Sequence, residues 1–198
     1  MDEMLRLRLR GMIERVTRKR HELQGQGTMF LGYNEELKEV HNSNARDLAE
    51  IVDDGGWPDV PRAGEEGAAA AFMIVQQSIG LPRFMTACLE LMEEAANAGR
   101  IPKWQVALLT DRICMLEGRP QVYGTQFDWD EKGELNPIPI EDPANVDARR
   151  RAVDLIPMAD AVVHERREVA ARGERAPHDG PARQADFDAW ARAVGWRL

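Results

Sequence analysis

The sequence predicts a mainly α, single-domain fold: six or seven helices around a buried central helical core, with one small β-hairpin. Three observations carry that prediction. Apolar residues recur at three- and four-residue spacing through most of the 198 positions. Glycine and proline stand where helices should stop and start, at Gly55-Gly56, Gly80 with Pro82, Gly99 with Pro102, and at Pro120. A short stretch, Gln121 to Trp129, has the aromatic and branched character of a strand.

In chain order, Leu5, Leu9, Met12, Ile13, Val16 and Leu23 give a first amphipathic helix over residues 2–24, closed by Gly25 and Gly27. Asn34 is a suitable N-cap, with Glu35 and Glu36 in the first turn where the helix dipole favours acids. The helix it opens runs to about Asp54 on a stripe of Leu37, Val40, Leu48 and Ile51. Gly64 to Ile79 predicts a third helix, apolar on every side from Ala68 to Val75 and so buried all round. Pro82 opens a fourth and Pro102 a fifth, the latter with a stripe of Trp104, Leu108 and Met115. Leu135 to Ile140 is the return strand, an edge because Pro137 and Pro139 cannot donate to a ladder. Asp142-Pro143 opens a charged helix, and Pro157 another, to about Arg172. The organisation expected is a helical domain over residues 1–172 with its core at 34–147. A linker and C-terminal docking segment follow at 173–198, carried by Phe187, Trp190, Val194 and Trp196.

Composition narrows the function classes. Hydrophobic residues are 43% and charged residues 30%, the balance of a soluble globular chain. The net charge of −8 argues against nucleic acid, which selects a basic face. The basic clusters RLRLR and Arg149 to Arg151 are diluted by nearby acids and read as solvated helix faces. No apolar leader and no run of about 18 apolar residues is present, so no membrane association is expected and the cytoplasm is. Cys88 and Cys114 lie in apolar helical stretches and read as buried, reduced thiols.

The polar residues out of place in this pattern are the candidate site. His41 and Asn44 share the apolar stripe of the second helix, one turn apart. His41 is either a satisfied core residue or a general acid or base, since an imidazole titrates near pH 6.5. Asn44 would then orient it or a substrate. Glu65 and Glu66 either complement a helix dipole or turn into a pocket, with Gly64 and Gly67 allowing close approach of backbone or ligand. Gln76 and Gln77 end an all-apolar helix and need partners if buried. Asp111 with Arg112 is either a structural ion pair or a site carboxylate held by an arginine. In the strand, alternation sets Gln121, Tyr123 and Thr125 on one face and Gln126 on the other, with Tyr123 a hydrogen-bond or proton donor.

Four of these segments resemble a known family. GWP at Gly56 to Pro58, GEEGAAAAFMIVQ at Gly64 to Gln76, LTDR at Leu109 to Arg112 and QVYGTQF at Gln121 to Phe127 are similar to an uncharacterised bacterial domain family. Its recurring pattern is GEEGA…IVQH…DR…Q.YGTQ, and the likeness spans about Leu37 to Asp147. It implies a site rather than an activity. This chain carries Gln77 where the pattern has histidine. If that histidine carries a proton, this protein either uses His41 instead or has lost the step.

The function expected first is a small-molecule enzyme using side-chain acid–base chemistry, such as hydrolysis, group transfer or isomerisation, in bacterial specialised metabolism. His41, Asp111 and Tyr123 would be catalytic. Asn44, Trp57, Glu65, Glu66, Gln76, Gln77, Arg112, Gln121 and Gln126 would bind substrate. No phosphate loop, GxSxG or HExxH motif is present, so no organic cofactor is expected, and the carboxylates and histidine lack metal-ligand spacing. The alternatives are a non-catalytic small-molecule-binding or immunity-type protein, and a helical interaction module whose first helix pairs with a partner or a second copy as a homodimer. A close ring of His41, Asp111 and Tyr123 on an open cleft would favour the enzyme. A sealed core in which they only satisfy one another would favour the others.

Overall fold

Asn34 closes the first turn of its helix as the cap rules predict, its Oδ1 accepting from the backbone N–H groups of Glu36 and Leu37. That helix is one of eight α-helices which, with one two-stranded antiparallel hairpin, make the fold mainly helical among the described residues. The computed structural model describes residues 1–25 and 34–198. Gly27, expected to help close the first helix, lies outside them. The chain divides into two compact units, Met1–Ile101 and Pro102–Leu198.

The first unit holds α1 (Glu3–Gly25), α2 (Glu35–Gly55), α3 (Val60–Gln77) and α4 (Pro82–Asn97). Helix α1 runs antiparallel to α2, with Arg8 on Glu50, Arg15 on Asn44 and Asp47, and Lys19 on Glu36. It runs in the same direction as α3: the Asp2 N–H donates to the Arg62 carbonyl at 2.8 Å, and Arg6 pairs with Glu66. Of the predicted stripe, Leu5, Leu9, Met12, Val16 and Leu23 are buried and Ile13 is half-buried.

Helix α3 departs from expectation twice. It begins at Val60, because the Asp59 side chain accepts from the Arg62 N–H and a proline follows in the first turn. Gly64, the expected start, is instead a kink within it, at φ 71° and ψ 172°. Nor is the helix buried all round. Glu65, Glu66 and Ala69 are exposed, and Met73 is 46% exposed, so one side of the apolar run stays open. The opposite side, through Ala63, Gly67, Ala70, Ala71 and Ile74, is buried.

Gly67 lies against the backbone of α1. A Cβ there would stand 2.8 Å from the Ala63 Cβ, 3.4 Å from the Arg6 Cα and 3.5 Å from the Leu9 Cδ1. The close approach expected of this glycine is to backbone. Gly67→Leu is therefore expected to cost about 1–3 kcal/mol by overpacking. Urea unfolding checks this, and an unchanged midpoint would mean the two helices do not press together there.

The second unit opens with α5 (Lys103–Glu117), closed by left-handed Gly118 at φ 74°. Strands β1 (Phe127–Trp129) and β2 (Leu135–Pro137) pair with Asp128 opposite Asn136. Then come a 3₁₀ turn (Pro143–Asn145), α6 (Val146–Ala152), α7 (Met158–Ala171) and α8 (Gly180–Val194). Both strands are shorter than predicted, since residues 121–126 form a loop. On α5 the buried positions include Gln105, Ala107, Leu109, Asp111, Ile113 and Cys114, whereas Trp104, Leu108 and Met115 are half-buried. The C-terminal stripe is a full helix followed by an anchor: Arg197 donates to the Met115 and Leu116 carbonyls in the last turn of α5 at 2.9 Å each.

Candidate functional site

Asp111 is the centre of the second unit's polar structure. It is fully buried on α5. Its Oδ1 accepts from the backbone N–H of Val122 at 2.7 Å and of Tyr123 at 2.9 Å. Its Oδ2 accepts from the Thr125 N–H and hydroxyl, each at 2.9 Å. A buried carboxylate needs compensation, and here main-chain donors and a hydroxyl supply it. The loop after α5 is wound around this side chain. Strand alternation consequently fails: the amides of Val122, Tyr123 and Thr125 turn to one carboxylate, which no extended segment permits.

Gln121 holds the loop from the other side. It is fully buried, its Nε2 donates to the Gln126 and Ile138 carbonyls at 2.9 and 2.8 Å, and its Oε1 accepts from the Gln126 N–H at 2.8 Å. Among the described residues the Gln126 side chain donates to the Thr125 hydroxyl, at 3.2 Å. Every bond made by the Gln121 amide is therefore to main chain.

Arg149 and Arg150 correct the reading of that cluster as a solvated face. Arg150 is buried and donates to the carbonyls of Tyr123 at 2.6 Å, Gly124 at 3.2 Å and Ile156 at 2.5 Å. Burial pulls its guanidinium below its ordinary pKa, opposed by the nearby carboxylates of Asp147 and Asp111. Arg149 donates to the Val122, Glu141 and Asp142 carbonyls. The loop thus has its N–H groups on an anion and its carbonyls on two cations. A cluster beside Asp147 and Asp154 gives no sequence signal of this, because the partners are main-chain atoms.

The other candidates lie in the first unit. His41 is buried on α2. Asn44 is 1% exposed, donating to the Met12 carbonyl at 2.9 Å and accepting from Arg15, so both ends of its amide tie α2 to α1. Glu65 and Glu66 are exposed, Glu66 on Arg6. Trp57 is buried, and Gln76 and Gln77 are half-buried at the end of α3. The Trp57 Nε1, Gln76 Nε2 and Gln77 Oε1 atoms have no hydrogen-bond partner among the described residues. Of the predicted set, the structure brings Asp111, Gln121, Tyr123 and Gln126 together; Arg112 is half-buried beside Asp111 on α5.

A concave site lies elsewhere in the second unit. A groove of about 420 Å³ opens between the end of α5, the hairpin and α8. Met115, Phe127, Ile138 and Phe187 give its apolar surface, and Arg119, Arg183 and Arg197 stand around it with the single carboxylate of Asp128. Arg197 also lies over the Phe187 ring, 5.3 Å from its centroid. Sequence reasoning missed this groove, whose walls are some 70 residues apart in the chain. The signal available was the cationic and aromatic face of α8, Arg183 with Phe187.

The motifs that build the loop, LTDR and QVYGTQF, join GEEGA on α3 in one sequence pattern. The chain belongs to the DUF6624 family, a family of unknown function. The family model matches residues 31–168, extending beyond the likeness read from the motifs at both ends and taking in α6 and most of α7. No curated protein and no solved structure matches the chain. The Asp111–loop–Arg150 arrangement lies wholly inside the DUF6624 match, as do the α5 and hairpin sides of the groove. The wall from α8 lies outside it. No helix among the described residues is long and apolar enough to cross a membrane, and no cluster of His, Cys, Asp and Glu among them is arranged to hold a metal ion.

Proposed function

We propose that this protein is a small-molecule-binding protein whose site is the groove between α5, the hairpin and α8. The observation that carries the reading is the groove itself: about 420 Å³, with an apolar lining and a few charged groups at its rim. Pockets for small molecules are of this size and make-up, and polar groups fix the ligand's orientation in them. Asp111 supports binding over proton transfer, since both its oxygens are occupied by loop donors and water has no access to them. The two free, buried thiols fit a reducing compartment, the cytoplasm. Burial alone pushes Cys88 up to about 12, so it is an unreactive core residue.

An acid–base enzyme is the second reading. A cleft adjoining the groove favours it, where His178 stands with Asp128, Asp130 and Glu131. That cleft holds an imidazole and carboxylates, the groups general acid–base catalysis employs.

The binding reading is tested with 8-anilinonaphthalene-1-sulfonate, a fluorescent probe that is apolar at one end and anionic at the other. Saturable binding of about one equivalent to the full folded chain is expected. Gln184→Trp places a large side chain at the groove from an exposed position and should weaken binding at least about tenfold. Absence of saturable binding, or equal affinity in the variant, would remove the groove as the site.

A further inference from the structure

We infer that the groove's ligand is an amphipathic carboxylate, with Arg183 as the residue that selects its acidic end. This rests on the groove being the binding site. Three guanidinium groups and one carboxylate line it, a local positive balance in a chain of net charge −8. The three arginines are not equivalent. Arg197 is committed: Nε and Nη2 donate to the carbonyls closing α5, Nη1 bonds Asp188, and the side chain is 18% exposed. Arg119 donates to Glu117 through both Nε and Nη2.

Arg183 differs. Both its bonds, to the two oxygens of Asp128, leave from Nη2. Nη1 and Nε make no bond among the described residues, so Asp128 holds the group through one nitrogen alone, the Nη2 that the guanidinium's side-on and end-on forks share. A guanidinium offers its donors in a planar fork that fits a carboxylate with two parallel bonds. Arg183 is 49% exposed and Asp128 33%, so their mutual attraction is screened, and a ligand carboxylate can displace Asp128 from Nη2 and take a fork at small cost. The apolar surface of Phe127, Ile138 and Phe187 then takes the rest of the molecule. A phosphate-sized ion alone would leave that surface uncovered, and a neutral hydrocarbon would leave the fork unused.

The experiment displaces 8-anilinonaphthalene-1-sulfonate from the full chain with decanoate or decan-1-ol, which differ in the acidic group. Decanoate should bind about tenfold more tightly than the alcohol, the effect of one charge-assisted pair. Arg183→Gln should bring the two within about twofold, chiefly by weakening decanoate. Asp128→Asn, which removes the competitor, should tighten decanoate severalfold. Arg119→Gln should change the ratio little. Equal affinities in the natural chain, a preference that survives Arg183→Gln, or failure of both ligands to displace a bound probe would each overturn the carboxylate assignment. The groove would still stand on the probe and on Gln184→Trp. If the probe itself does not bind, the groove reading fails first. Circular dichroism of each variant confirms that the fold is kept.

Discussion

Replacing Asp111 with alanine is expected to lower the stability of the folded chain by about 3–5 kcal/mol. The substitution strips the acceptors from the backbone N–H groups of Val122, Tyr123 and Thr125 and from the Thr125 hydroxyl. Each donor left buried and unpaired costs about 1–3 kcal/mol, and those that reach water after the loop opens cost less. Arg150 also loses a neighbouring negative charge in a buried position. Asp111→Asn should recover less than half of the loss, because asparagine offers one acceptor oxygen and sets an NH₂ group against N–H donors. Urea unfolding followed by tryptophan fluorescence measures both. A loss below about 1 kcal/mol for the alanine variant would show that the loop does not depend on the carboxylate. Probe binding should fall with it, since the Asp111-bound loop leads directly into Phe127, which lines the groove.

The second large effect is expected at Gly124, in the same loop. Its φ of 72° is left-handed, and a Cβ there would lie 2.6 Å from the Met158 sulfur and 2.9 Å from the Ile140 Cδ1. Gly124→Ala thus combines a backbone cost of about 1–2 kcal/mol with overpacking of about 1–3 kcal/mol. The expected loss is about 2–5 kcal/mol, read as a lower unfolding midpoint. Gly173 serves as the internal control: its φ is 69°, but nothing lies within 4 Å of a Cβ built there. Gly173→Ala should carry the backbone cost alone. Equal losses at the two positions would mean that Met158 and Ile140 yield without cost.

The helices were legible because their signals are local. Asn34 caps α2 and Pro82 lies in the first turn of α4, each where the sequence predicts, while α5 ends at Gly118, two residues before the Pro120 expected to break it. The α2 stripe was legible to the point of placing His41 and Asn44 on its buried side. The two misreadings of α3 have separate causes: Asp59 caps it ahead of Gly64, and the apolar run hides its exposed side. Ala68 to Val75 is apolar at every position, and a run without polar residues cannot report which side faces solvent. That side was decided by where α1 lies, and Gly67 marks the contact.

The site was less legible. The sequence by itself determined a mainly helical chain with one short hairpin, its breaks, its family motifs and the oddity of Asp111 on an apolar helix. Tertiary structure decided what Asp111 does. Its partners are main-chain N–H groups 11 to 14 residues further on, and every residue but proline carries the same N–H. For the same reason the burial of Arg150 on carbonyls left no trace in an arginine-rich stretch. The groove, too, exists only once residues near 115 and 183 meet. Helix periodicity acts within four residues and is written along the chain, whereas cavities and main-chain cradles arise from distant segments and leave no local pattern to read.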